Sequence, residues 1–193
     1  FDTNSIEENS FKIIATDKKI NNEYFDSWTN VKINNYIELD GQYGNLVKLL
    51  NFNGSFFAFQ NKAVSLVSIN ERTIIQDNNK LQLTLGTGDI LDRYDYLTTS
   101  SGIKKAEDLT FSFNSIYYVD RENRAIYTLT SDGDVPISEV NGIRSLLKQY
   151  NNIAHVSTGF DPEYKEIIFC LYNTGGIHNT IVYNEYTGAF VSN

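Results

Sequence analysis

Cysteine occurs once in this 193-residue sequence, proline twice and methionine not at all. A single thiol, Cys170, can close no disulfide within the chain, and it has no cysteine neighbour at metal-ligand spacing. It lies inside an apolar run and reads as a buried thiol acting as a small hydrophobe. Two prolines exclude a proline-rich linker. With no methionine even at position 1, and with Val191-Ser192-Asn193 stopping in mid-pattern, the sequence reads as a segment of a longer gene product. No apolar run approaches the ~20 residues of a membrane-spanning helix, and no signal-peptide pattern begins at Phe1. Basic residues are scarce too. Sixteen Lys and Arg stand against 24 Asp and Glu, a net charge of −8. Nucleic-acid affinity rests on clustered Lys and Arg, and acids flank the nearest clusters, Lys104-Lys105 and Arg121 with Arg124. An acidic wall repels DNA, which suits a conduit better than a specific binder.

What the sequence has in quantity is aromatic residues, 13 Tyr and 12 Phe, suited to covering pleated sheets. They fall into a unit written three times: apolar run, tight polar turn, apolar run. It reads first as Phe56-Phe57-Ala58-Phe59, Gln60-Asn61-Lys62, then Ala63 to Ile69. It returns as Ile116-Tyr117-Tyr118-Val119, a turn over 120–124, then Ala125-Ile126-Tyr127-Thr128-Leu129. The third copy runs from Ile167 to Tyr172, through a looser turn, to Thr180-Ile181-Val182-Tyr183. These are hairpin signals, spaced roughly 50–60 residues apart, near the spacing of propeller blades with insertions. An earlier strand precedes each: 44–50 before the Asn53-Gly54 turn, 109–113 before Asn114-Ser115, and 153–157 before a turn over 159–164. Three to four antiparallel strands per unit is the content of a blade.

The expected fold is therefore all-β and mainly antiparallel, with propeller-like blades forming a partial propeller. Residues 1–35 read as an extended N-terminal arm anchored by Trp28, and 36–193 as the repeat region. Further strands are expected at 73–75 and 81–85. One short helix is expected near 138–150, where Ile143, Leu146, Leu147 and Tyr150 share a helical face.

Each candidate for chemistry has a plainer reading. Gly86-Thr87-Gly88 follows a strand but lacks the third Gly, the helix and the βαβ frame of a dinucleotide site. Asp89, Asp92 and Asp95 recur beside Arg93, without the alternating ligands and closing Glu of a calcium loop. Asp161, Glu163 and Glu166 share one turn, whereas glycosidase carboxylates face each other across a cleft. His155 and His178, the two histidines, have no metal-ligand neighbours in sequence, and no nucleophile elbow appears. The reading is a non-enzyme, with no catalytic, cofactor-binding or metal-binding residue assigned.

Several phrases carry a resemblance. Gly44-Asn45-Leu46-Val47 leading to Phe56-Phe57-Ala58-Phe59-Gln60, Val67-Ser68-Ile69-Asn70-Glu71-Arg72, and Leu85-Gly86-Thr87-Gly88-Asp89-Ile90-Leu91-Asp92-Arg93-Tyr94-Asp95-Tyr96-Leu97 resemble the muzzle proteins of crAss-like bacteriophages. So do Tyr117-Tyr118-Val119-Asp120, Gly159 to Glu166 and Val182-Tyr183-Asn184-Glu185. The resemblance spans about residues 24–190 and implies a tail-nozzle, or tail-stabilisation, component of a short-tailed phage virion. It further implies a ring around the DNA exit channel, contacts with other tail or portal-proximal proteins, and assembly in the host bacterial cytoplasm. The alternative is a propeller lectin or glycan-processing protein displaying Trp28, Tyr94, Tyr96 and acids around a pocket.

Overall fold

The computed structural model describes residues 10–17, 22, 24–33, 35–69, 73–76, 82–85, 91–140, 142–150, 152–175 and 178–191. Alternating apolar and polar residues make β structure the dominant element, and every pairing is antiparallel. β1 (Lys12–Ile14) and β2 (Tyr36–Glu38) pair as a small sheet that ties residues before position 35 to residues after it. Three four-stranded sheets then follow one another along the chain.

The first sheet comprises β3 (Leu46–Phe52), β4 (Ser55–Gln60), β5 (Val64–Ile69) and, after an inserted hairpin of β6 (Thr73–Gln76) and β7 (Gln82–Leu85), β8 (Leu91–Thr98). The second is β9 (Leu109–Phe111), β10 (Ile116–Asp120), β11 (Ala125–Thr130) and β12 (Gly133–Val135). After α1 (Ile137–Val140) and α2 (Arg144–Lys148) comes the third, β13 (His155–Asp161), β14 (Glu166–Tyr172), β15 (His178–Asn184) and β16 (Ala189–Val191). Each is a meander whose strand order equals chain order. All three sequence repeats fall on the second and third strands of a sheet.

Each sheet packs through its faces. Successive residues of a strand point to opposite sides, so a strand buried on both sides must be apolar throughout. β10 meets that demand: Ile116 and Tyr118 pack toward the first sheet with Phe59, Val64, Leu109 and Leu129. Tyr117 and Val119 pack toward the third, with Ile126, Ile167, Phe169 and Leu171. The first sheet's other face carries Ala58, Val67 and Leu91 against Ile13, Ile37 and Leu39 of the small β1–β2 sheet and its exit. The core is thus a series of layers, with one apolar cluster between each pair of neighbours.

Four expectations need correction. The single helix near 138–150 is two short helices, because Gly142 stands between them at φ +91°, a left-handed conformation that ends a helix. The expected face lies wholly after the break, with Leu147 and Tyr150 buried and Ile143 and Leu146 packed on the same cluster. Trp28 is 61% exposed in a 3-10 turn, Ser27–Thr29, and the burial of Ile13, Ile37 and Leu39 is what holds the arm. The turn expected over 159–164 is shorter, since β13 continues to Asp161 by pairing with Glu166. Cys170 is only half-buried: it alternates with buried Phe169 and Leu171 and faces away from the core. The Gly86-Thr87-Gly88 phrase and Asp89 lie outside the described residues.

Candidate functional site

The polar groups that the layers bury gather where sheets are joined, near the loops that end β4, β8 and β10. Between the first and second sheets, Gln60 is 1% exposed and donates its amide to the carbonyls of Asp40 and Gly44 at 3.0 and 2.8 Å. Asn61 accepts the Asn45 N–H at 2.8 Å and donates to the Ile103 carbonyl at 3.3 Å. Gly102 threads past this pair so closely that a Cβ there would collide with the backbone carbonyls of Gln60 and Asn61. Across the gap, Ser101 bonds the Tyr118 hydroxyl at 2.6 Å and donates to Asp134 at 2.7 Å. Asp120, 3% exposed, accepts the N–H groups of Gly102, Glu122 and Asn123 and the Asn123 side-chain amide. Burial still pushes its carboxyl above the ordinary value, against those hydrogen bonds.

Between the second and third sheets the join is built around an ion pair. Arg121, in the turn after β10, sets its guanidinium on Asp108, just before β9 of the same sheet, through Nε at 2.9 and 3.0 Å and through a closer NH2 contact. Both side chains are nearly sealed from water, at 4% and 0% exposure. Asp108 also accepts the N–H groups of Lys104 and Lys105, and Arg121 donates to the Ala154 carbonyl just before β13. Glu107 adds a contact to His155 Nδ1 at 3.2 Å, and its carbonyl accepts the Thr158 hydroxyl. The pair satisfies a buried guanidinium within the second sheet, and the bonds to Ala154, His155 and Thr158 carry the join to the third.

At the opposite ends of the strands the first two sheets separate. A cleft of about 540 Å³ opens there, floored by Phe52, Phe57, Leu66, Leu97 and Ile116 and rimmed by Asn53 and Asn114. The sheets are pinned at one end and splayed at the other. That is a wedge.

The residues weighed for chemistry are drawn into structure. Arg93 pairs with Asp95 at 3.2 Å in solvent. Tyr96 accepts the Asp40 N–H and donates to Gln60 Oε1, with its ring against Tyr43 and Tyr94. Burial raises its phenol to about 12. Tyr94 packs on the cluster under the arm. Asp161 spends one oxygen on the N–H groups of Glu163 and Tyr164, closing its own turn. Glu166 lies beside the Asn184 amide at 3.4 Å. Among the described residues no group of three or more His, Cys, Asp and Glu could hold a metal ion, and no helix is long and apolar enough to cross a membrane.

The fold does bring the two histidines into one cross-strand row. His155 lies opposite Tyr172 and Tyr172 opposite His178, on the outer face of the third sheet. Sequence reasoning missed both this row and the Arg121–Asp108 join, because each unites residues from separate strands or loops. An Arg within a tight turn of an otherwise acidic chain was the one available signal for the join.

A protein built of layered meanders and locked by buried polar joins matches one family along its length. The sequence pattern described as crassvirus muzzle protein matches residues 1–193. The chain belongs to that family. A curated relative, the muzzle protein of Bacteroides phage crAss001, is 25% identical over 139 residues, 72% of this chain. The match covers 10% of that relative's length, so the chain spans about a tenth of it.

Proposed function

We propose that this chain is a structural segment of a phage tail nozzle, a virion component that scaffolds and makes contacts rather than catalyses. Membership of the muzzle family carries the reading. The architecture supports it: three antiparallel meanders follow one another in chain order with an apolar cluster between neighbours, as successive propeller blades would. In this reading residues 1–35 are an arm on a repeat region of 36–193. The longer product forms a ring around the DNA exit channel, touching its own copies and other tail or portal-proximal proteins. A net charge of −8 keeps the passing DNA from adhering. The product assembles in the host bacterial cytoplasm and ends in the tail.

Labelling the full gene product in purified virions and imaging them tests this. The expected result is density at the portal-distal end of the tail, arranged as a ring. Absence from the particle removes the reading, and binding or hydrolysis in a glycan panel would install the lectin or glycan-processing alternative instead.

A further inference from the structure

We propose that the outer face of the third sheet is an interface for a fourth antiparallel sheet, supplied by the same, longer polypeptide. The inference rests on the reading of this chain as a segment of a longer muzzle-family product. It starts from positional equivalence. The second strand of each sheet begins its inward run after a hairpin at Ser55, Ser115 and Glu166. Two and four residues on stand Phe57 and Phe59, Tyr117 and Val119, and Ile168 and Cys170. In the first sheet the second sheet covers these positions. In the second sheet the third covers them. In the third sheet Ile168 and Cys170 are half-buried, and neither joins any of the three apolar clusters of the described residues.

The whole face has the composition of a covered one. Gly159, Ile168, Val182 and Val191 lie in one cross-strand row, and Ser157, Cys170 and Thr180 in the next. Neither row contains a charge. A sheet face meant for water carries charged residues outward, and here charged groups occur only at the margins, the central rows holding no polar residue beyond Ser157 and Thr180. Asp161, Glu166 and Asn184 border one end, and His155, Tyr172 and His178 the other. An uncharged centre with a polar rim is the pattern of an interface.

Complementarity selects the occupant. Both described interfaces are filled by large side chains: Phe59 and Tyr118 in one, Tyr117 and Phe169 in the other. The two central rows of the outer face hold nothing larger than Ile or Val, so two copies meeting face to face would leave their centre poorly filled. A sheet presenting residues like the Ile167-Phe169-Leu171 face of β14 supplies the missing volume. Both existing interfaces are made within one chain, and nine-tenths of the muzzle relative lies beyond the matched stretch.

Cys170, the one cysteine, sits at the centre of this face and serves as the probe. Its labelling by an aromatic disulfide reagent is compared between the 193-residue chain and the free full-length gene product. Labelling at least tenfold slower in the full-length product is expected, since an enclosed thiol is shielded from reagent. Thr180→Arg should leave thermal unfolding of the 193-residue chain unchanged and restore fast labelling in the full-length product. Equal rates in both proteins overturn the proposal. So does protection that appears in the 193-residue chain as its concentration rises, which would make the occupant a second copy. Because the measurement precedes assembly, a product missing from virions but protected at Cys170 would sink the nozzle reading and leave this one standing.

Discussion

Asp108 and Arg121 form the most deeply buried ion pair among the described residues. With both nearly sealed from water, removing the acid leaves a buried guanidinium holding only the Ala154 carbonyl and the edge of Glu107. Asp108→Ala should cost about 3–5 kcal/mol in denaturant unfolding, the range for breaking one side of a buried pair. Arg121→Leu should cost less, because Asp108 keeps the N–H groups of Lys104 and Lys105. Ser65 makes the opposite case. Its hydroxyl is buried with no hydrogen-bond partner, so Ser65→Ala should leave stability unchanged or raise it by about 1 kcal/mol. Tyrosine reports alkaline pH. Burial raises Tyr96 and Tyr127 to about 12, from an ordinary value of 10.0. A phenol whose folded value is raised contributes stability below pH 10 that is lost as pH climbs toward 12. Absorbance of tyrosinate near 295 nm should therefore lag in the native chain above pH 10. It should then rise together with loss of near-ultraviolet circular dichroism.

At the scale of elements, two glycines show different constraints. Gly102 is pressed against the Gln60 and Asn61 carbonyls, so Gly102→Ala must push the loop out of the join between the first two sheets. A loss of about 2–3 kcal/mol is expected, the cost of overpacking. Gly142 has open space around it but a φ of +91°, so Gly142→Ala pays only conformational strain, about 1 kcal/mol. Thermal melts of the two variants should differ in that order. The hairpins were legible in the sequence because their signals are local: Asn53-Gly54 closes β3 and β4, and apolar runs mark β10 and β14. The separate α1 was less so: the shared face of Ile143, Leu146, Leu147 and Tyr150 lies wholly after Gly142, and Ile137–Val140 before it is too short to show a helical period of its own. β12 was missed because Gly133-Asp134-Val135 has no run of its own and pairs only because β11 offers an edge.

Across the whole molecule, the layered core couples each sheet to its neighbour but not to the one beyond. A change at the join of the second and third sheets, such as Asp108→Ala, should therefore open the third sheet before the first. Native-state hydrogen exchange would read this as faster exchange in β14 and β15 with β4 and β5 still protected. Uniform acceleration in all three sheets would mean that the layers unfold as one unit.

Alternation and turn residues alone determined that the chain is antiparallel β and where its repeated hairpins lie, because strand period and turn chemistry act over a few residues. Phrases such as Leu85 to Leu97 and Gly159 to Glu166 carried the resemblance to the muzzle family. Which face of each strand meets which neighbour was settled only by tertiary structure. β10 reads as apolar on both sides whether it lies between two sheets or beneath a helix, and packing chose the sheets. The same holds for Arg121. Its partner is 13 residues away along the chain, and only folding brings the buried guanidinium and carboxylate together, where exclusion of water makes the pair matter.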